Sequence, residues 1–346
     1  MLPLKQPFSP MEARSVDEIP LGEEWWYEPK WDGFRCIVFR DGDDIELQSK
    51  SGQSLTRYFP ELVEAVRGIR AETCALDSEI VIPSNGIFSF DDLLQRVHPA
   101  VSRVAKLASE TPAMLIVFDL LVDASGNSLV ALPLQQRRPL LETFAKKHFR
   151  GNSRIRLSPA TRQLAEAQKW LKSVGSTLDG IIAKRCDSAY DCESRGAMRK
   201  IKNYRSADCV VGGFRYLEAK KLVGSLLLGL YDDDGLLHHV GFTSTIKNIE
   251  RKELTGKLER LVGRSSFTGK TPGGPSRWSN KRSAEWKPLK AKMVVEVCYD
   301  HFAGDRFRHG TRLVRWRPDK APHQCTFDQL KQKKANLMIL LSQSGD

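Results

Sequence analysis

Long apolar runs are missing from this 346-residue chain. Nothing in it approaches the roughly eighteen uninterrupted apolar residues that a membrane-crossing helix requires. The opening residues, MLPLKQPFSP, lack the apolar centre of a secretory signal. Cysteines are few and scattered, seven in all at 36, 74, 186, 192, 209, 298 and 325, with no CxxC pair. An odd, dispersed set argues for reduced thiols and against both a disulfide framework and a structural zinc site. No internal repeat is found. These absences leave a cytoplasmic protein without a membrane partner as the expectation.

What is present is an ordinary globular composition, 41% hydrophobic and 28% charged, in a chain long enough for two domains. The charge is uneven. Residues 206–346 carry 25 Lys and Arg against 15 Asp and Glu, whereas residues 1–205 carry 29 against 27. A polyanion held by the second half would explain the bias, and so would a basic solubility face.

The first half alternates strand and helix patterns. Residues 34–40 and 45–49 form a hairpin pattern around Asp41-Gly42-Asp43-Asp44, and a helix is expected after Pro60. Buried strands are expected at 74–82 and 114–121, helices at 137–148 and 161–174, and short strands at 179–185 and 198–203. That is an α+β domain, taken as residues 1–204. Beyond it, strand patterns at 208–216, 223–231 and 236–243 precede a helix at 248–262 and strands at 292–299 and 311–317. Five strands with a helix between the third and fourth fit an OB-type β-barrel, taken as residues 205–346 with a terminal helix at 326–342. A polar, basic loop at 264–284 either touches a polyanion or is simply solvated.

Chemistry concentrates in the stretch EPKWDGFR. Lys30 is a nucleophile if a neighbouring cation or metal depresses its pKa; otherwise it is a solvated lysine at a strand start. Asp32 could orient the amine, Gly33 permits a close backbone approach, and Arg35 offers a planar fork for oxygens. Glu79 lies in an apolar strand, where a carboxylate is costly unless it meets a metal or ligand. Phe118 is plain core or the rim of a base-stacking pocket. Asp179 and Lys184 add a second carboxylate and a second cation. Lys200 and Lys202 alternate onto one strand face, where they are merely solvated or, beside Lys30, stabilise phosphate and lower the nucleophile's pKa.

In this order the segments resemble the covalent nucleotidyltransferases: ATP-dependent DNA ligases, RNA ligases and mRNA capping enzymes. KWDGFR at 30–35 is similar to the nucleophile motif, LDSEIV at 76–81 and VFDLL at 117–121 to the next two. DGIIAK at 179–184 and KIK at 200–202 are similar to the fourth and fifth, and RPDK at 317–320 to the ligases' distal RxDK. The resemblance covers nearly the whole chain and is greatest to the small bacterial ligases of the ligase C branch. It implies an ATP-grasp-like adenylation domain followed by an OB-fold domain.

It also implies roles. Lys30 would attack the α-phosphate of ATP and carry AMP, with Lys200 and Lys202 on that phosphate. Glu28 would accept a hydrogen bond from the adenine amino group and Phe118 would stack on the ring. Arg35 and Glu79 would hold the ribose and its surroundings, and Lys184 would belong to the same ATP site. Asp179, with Glu79, would hold Mg²⁺ or alternatively Mn²⁺, and Arg317 and Lys320 would orient pyrophosphate. The expected substrate is nicked double-stranded DNA, and the expected enzyme is a DNA ligase (ATP), EC 6.5.1.1, monomeric and at work in DNA repair and recombination. The setting implied is the bacterial cytoplasm and nucleoid, with a separate repair polymerase as partner.

Two departures stand out. The fourth motif opens with Asp179 rather than Glu, and Lys50 in SKSG stands where ligases commonly carry Arg for phosphate. Lysine cannot make arginine's bidentate contact, so recognition of the 5′-phosphate is expected to be weaker or shared with another residue, and Lys50 is counted with the ATP-site residues. The alternatives are an RNA ligase or another lysyl-NMP transferase, and a non-catalytic OB-type nucleic-acid binder. NAD-dependent ligases need an added N-terminal domain, for which the roughly 29 residues before Lys30 leave no room.

Overall fold

The computed structural model describes residues 2–173, 177–218, 220–273, 285–331 and 336–342. The chain divides into two compact units, Met1–Asn203 with Lys333–Asp346, and Tyr204–Gln332.

In the first unit, β1 (Arg14–Ser15) and β2 (Trp25–Lys30) precede the hairpin of β3 (Phe34–Asp41) and β4 (Asp44–Ser49). The hairpin closes through Gly42 at φ 64°, the positive φ that a two-residue turn with glycine first requires. Helix α1 (Pro60–Arg67) carries Pro60 in its first turn, where the missing N–H costs nothing. Strand β5 (Thr73–Val81) follows, then the small hairpin β6 (Pro83–Ser84) and β7 (Ile87–Phe88), and helices α2 (Phe90–Arg96) and α3 (Val101–Glu110). Strand β8 (Met114–Val122) is buried at every position, as its unbroken apolar run demands. After it come α4 (Leu134–His148), β9 (Ile155–Leu157), α5 (Leu164–Ser173), β10 (Gly180–Arg185) and β11 (Met198–Lys202).

Apart from the separate β6–β7 pair, these strands make two sheets, ordered β4-β3-β5-β8-β9 and β1-β11-β10-β2. In the second sheet Gly180 pairs with Lys30 on one side and Lys202 on the other, and Ile182 with Glu28 and Lys200. Period-two alternation therefore puts Glu28, Lys30, Lys184, Lys200 and Lys202 on one face. The opposite face buries Tyr27, Ile181, Ala183 and Ile201.

The second unit is built from β12 (Arg205–Leu217), β13 (Lys220–Tyr231), β14 (Leu237–Thr243), α6 (Arg251–Glu259), β15 (Lys287–Pro288), β16 (Val294–Tyr299), β17 (Phe302–Ala303), β18 (Arg306–Phe307) and β19 (Arg312–Trp316). The main sheet runs β14-β13-β12-β16-β19. Its two edge strands meet where Thr311 N–H donates to the Phe242 carbonyl and Thr243 bridges Thr311. With α6 between the third and fourth long strands, this is the OB arrangement. Phe214, Leu226, Val240, Leu258, Val295 and Phe307 fill its core.

One expected element is overturned. The terminal helix over 326–342 is not a single helix: a 3-10 turn at Phe327–Leu330 belongs to the second unit, and α7 (Met338–Ser342) to the first. Five residues cannot sustain a helix alone, and Leu337, Leu340 and Leu341 are buried with Trp25, Trp170 and Ile116. Two further helices, α2 and α3, were not among the expected elements. No helix among the described residues is long and apolar enough to cross a membrane. Residues 274–284 of the basic loop lie outside the described residues.

Candidate nucleotide site

Lys30 is the last residue of β2, not the first of a strand as its flanking sequence suggested, and its amine contacts the buried carboxylate of Asp179. Asp179 stands just ahead of β10, whose first residue, Gly180, has φ 153°. A Cβ on Gly180 would lie 1.9 Å from the Ile201 carbonyl oxygen, so only glycine lets the neighbouring strand come this close. Gly33 is required for a similar reason. Its Cβ would fall 2.1 Å from the Ile80 carbonyl oxygen, so its close approach is to β5.

A cavity of about 150 Å³ gathers Glu28, Lys30, Arg35, Lys50, Glu79, Phe118, Lys184 and Lys200 from both sheets. Eight of the residues singled out in the sequence thus converge. Lys202 sits across Gly180 from Lys30 and is not among the residues lining the cavity. Burial, and after it the charges of Lys30, Lys50 and Lys202, depress the pKa of Lys200.

Glu28 is almost fully buried. Its Oε2 is 2.8 Å from Lys184 Nζ, while Oε1 has no hydrogen-bond partner and lies 3.8 Å from Arg138 Nη1, itself unpartnered. A buried carboxylate oxygen left open in this way calls for a ligand N–H. Phe118 combines both of its readings, being buried and lining the cavity. Arg35 Cζ lies 4.7 Å and Lys184 Nζ 4.8 Å from its ring centroid.

Arg35 is fixed by Asp77, with Nε and Nη2 each donating at 2.5 Å, and Asp77 also accepts from the Tyr190 hydroxyl at 2.5 Å. Burial pushes Glu79 up to about 7, against the pull of Arg35 and Lys30. The carboxylates that do converge for a cation are Asp32 and Asp179, whose oxygens lie within 4.8 Å of each other. Two hard oxygen donors fit Mg²⁺, which takes few protein ligands and retains water. Glu79, the residue expected to share the metal with Asp179, lines the cavity and pairs with Arg35 across β3 and β5.

In the second unit, Arg317 Nη1 donates to both oxygens of Asp208 at 2.9 and 3.0 Å, and Lys320 reaches the same carboxylate at 2.7 Å. The other edge of the Arg317 fork holds Asp319, and that hydrogen bond draws the Asp319 pKa down to about 2.

Several site residues were missed by the sequence. Asp77 and Tyr190 fix Arg35, and Arg138 approaches Glu28 from α4. Only Asp77, inside the LDSE run, had a signal. Arg138 belongs to QQRR, which looks like a solvated helix face until α4 packs.

The comparisons agree with one another. Residues 10–202 match the family model described as the ATP dependent DNA ligase domain, and residues 219–320 the one described as the ATP dependent DNA ligase C terminal region. DNA ligase C2 of Mycolicibacterium smegmatis is 43% identical over 345 residues, covering 95% of this chain and 96% of that protein. The multifunctional non-homologous end joining DNA repair protein LigD of Mycobacterium tuberculosis is 29% identical, over 87% of this chain and 37% of its own length. A solved structure described as a Lig E DNA ligase shares the fold at a TM-score of 0.55 and 14% identity, covering 90% of this chain and 99% of that one.

Proposed function

The chain belongs to the ATP-dependent DNA ligases, and on that premise we propose how its residues divide the work. The enzyme seals a 3′-hydroxyl to a 5′-phosphate across a nick in duplex DNA by way of a lysyl-AMP and a DNA-adenylate. Lys30 is the nucleophile. Its nitrogen bonds to the α-phosphorus of ATP as the bond to pyrophosphate breaks. AMP then passes to the 5′-phosphate, and the 3′-hydroxyl displaces it. The observation that carries this assignment is the amine of Lys30 at a strand end, held by Asp179 in a cavity shared with Glu28, Glu79, Phe118 and Lys200.

The open Oε1 of Glu28 accepts the adenine amino hydrogen, the Phe118 ring packs on the base, and Lys184 keeps Glu28 in place. Arg35 and Glu79 take the ribose hydroxyls. Lys200 and Lys202 balance charge that builds on the α-phosphate, where fixed cations are worth most. Asp32 and Asp179 would hold Mg²⁺, or Mn²⁺ in its place, which when bound neutralises phosphate oxygens. Arg317 and Lys320 are the second unit's groups for pyrophosphate, and its basic surface serves the duplex.

The setting we infer is repair in the bacterial cytoplasm, at the nucleoid, by a monomer working alongside a repair polymerase. The mycobacterial ligase C relative and the repair activity named for LigD support the bacterial and repair parts. The direct test is incubation with Mg²⁺ and α-labelled ATP or GTP, followed by acid. Acid-stable label from ATP alone is expected. No label from ATP would sink the assignment, and label from GTP alone would move the protein to capping-type chemistry.

A further inference from the structure

The larger sheet of the first unit ends on an open strand. β9 is its last member, and among the described residues no strand pairs with its outer side. On its inner side Leu115 N–H donates to the Arg154 carbonyl and Ser158 N–H to the Val117 carbonyl, both at 2.8 Å. Main-chain groups alternate in direction along a strand, so those of Ile155 and Leu157 point away from β8, to the open edge.

The edge is the floor of a groove of about 940 Å³. One wall is the end of α4 and the turn after it, with Ala145 and Phe149, and the other is α7, with Met338 and Leu341. The walls stand on opposite faces of the sheet. Ala145 and Phe149 pack in the core with Leu115, whereas Leu341 packs in the core with Ile116, the next residue of β8.

Charge in the groove has one sign. Lys146, Arg150 and Arg156 line it, and among the described residues no Asp or Glu does. Lys146 and Arg150 are exposed, and among the described residues neither forms an ion pair. None of these residues lines the cavity around Lys30. A short edge strand with a central arginine resists indiscriminate pairing. Apolar walls and a basic rim favour an extended segment that is both apolar and acidic.

We propose that β9 is a docking edge for an acidic segment of a partner protein, which joins the sheet as a further strand. Its main chain pairs with Ile155 and Leu157, its apolar side chains settle against Phe149 and Leu341, and its carboxylates meet Lys146, Arg150 and Arg156. Arg156 Nη1, which lies 3.1 Å from the Ile155 carbonyl, gives up that oxygen to an N–H of the segment. Main-chain pairing supplies the fit and the rim selects the sign of charge. The partner is thereby held to the first unit without occupying the nucleotide cavity.

The test titrates the full-length protein with a capped, fluorescent peptide, Glu-Asp-Val-Ile-Val-Asp-Glu, and follows anisotropy. The same peptide with Lys in place of every acidic residue should not bind. Two further versions are N-methylated on one or the other set of alternate residues. Loss of binding with one set only is the signature of a strand added by one edge. Hydrogen exchange at the Ile155 and Leu157 amides should slow when the parent peptide is bound. Lys146→Glu combined with Arg150→Glu should weaken binding by roughly tenfold, with label from ATP unchanged. No binding of the parent peptide overturns the proposal, and so does the same result from both N-methylated sets. Undiminished binding to the double variant overturns the acidic chemistry. If the two amides slow with protein concentration alone, a second copy of this chain takes the edge, and the proposal falls.

Discussion

The two units hold their functional cations in opposite ways. In the first, Lys30 and Lys184 project from one sheet face onto buried carboxylates, and one of those, Glu28, keeps an oxygen open. In the second, Arg317 and Lys320 share Asp208, and Arg317 grips Asp319 as well. The first arrangement is a cavity left incomplete for a ligand. The second is a set of cations already satisfied, which can act on another anion only by releasing Asp208. The difference lies in hydrogen bonding: Asp208 is satisfied by Arg317 and Lys320, whereas Glu28 has a buried oxygen still able to accept.

The comparison can be broken most sharply at Lys30. Lys30→Ala should abolish acid-stable label from ATP while leaving partial sealing of a pre-adenylylated nick, measured by ligated product on a denaturing gel. If label persists, the first unit's cavity is not the nucleotide site.

Glu28→Ala should come next. It leaves the buried Lys184 amine with only the Phe118 carbonyl, and loss of one partner of a buried ion pair costs about 4 kcal/mol, read from the urea midpoint of the first unit. The same variant should lose preference for ATP over GTP.

The second unit should instead respond to acid. Burial, and then the charges of Arg306 and Arg215, lower the pKa of His239 to about 4. The unfolded chain binds this proton more readily, near pH 6.5. The stability is therefore fully present above that pH, falls as the pH drops toward 4, and amounts to about 3 kcal/mol in all. Hydrogen exchange of β14 amides across this range should show the loss, and His239→Phe should flatten it.

The smallest change expected is from Asp208→Asn. It weakens the clamp on Arg317 and Lys320 and should cost about 2 kcal/mol of second-unit stability. Because Arg317 and Lys320 are then released more readily, adenylylation should quicken relative to sealing of a pre-adenylylated nick, in single-turnover assays. If the two rates change alike, the clamp serves stability only.

Local pattern was enough to find most strands. The β3–β4 hairpin, the apolar run of β8 and the helix starting at Pro60 each depend on neighbours in sequence, so each was visible there. The RPDK segment was visible for the same reason, since Arg317 and Asp319 are two residues apart. Asp208, 109 residues away from Arg317, was not. Nor was the split of the terminal segment, where α7 is stabilised by packing on Trp25 and Ile116 rather than by its own helical preference.

By itself the sequence determined the reaction. A lysine in KWDGFR, the ordered carboxylate, aromatic and paired-lysine segments, and the basic second half together specify a nucleotidyl carrier for a polyanion. Tertiary structure decided which groups meet: Asp179 on Lys30, Arg138 behind Glu28, and Asp77 and Tyr190 on Arg35. The reason is physical. Residue type and spacing along one strand set which chemistry is available and which face carries it. The pairing of charges brought from separate strands depends on sheet register and on burial, and exists only once both sheets are formed.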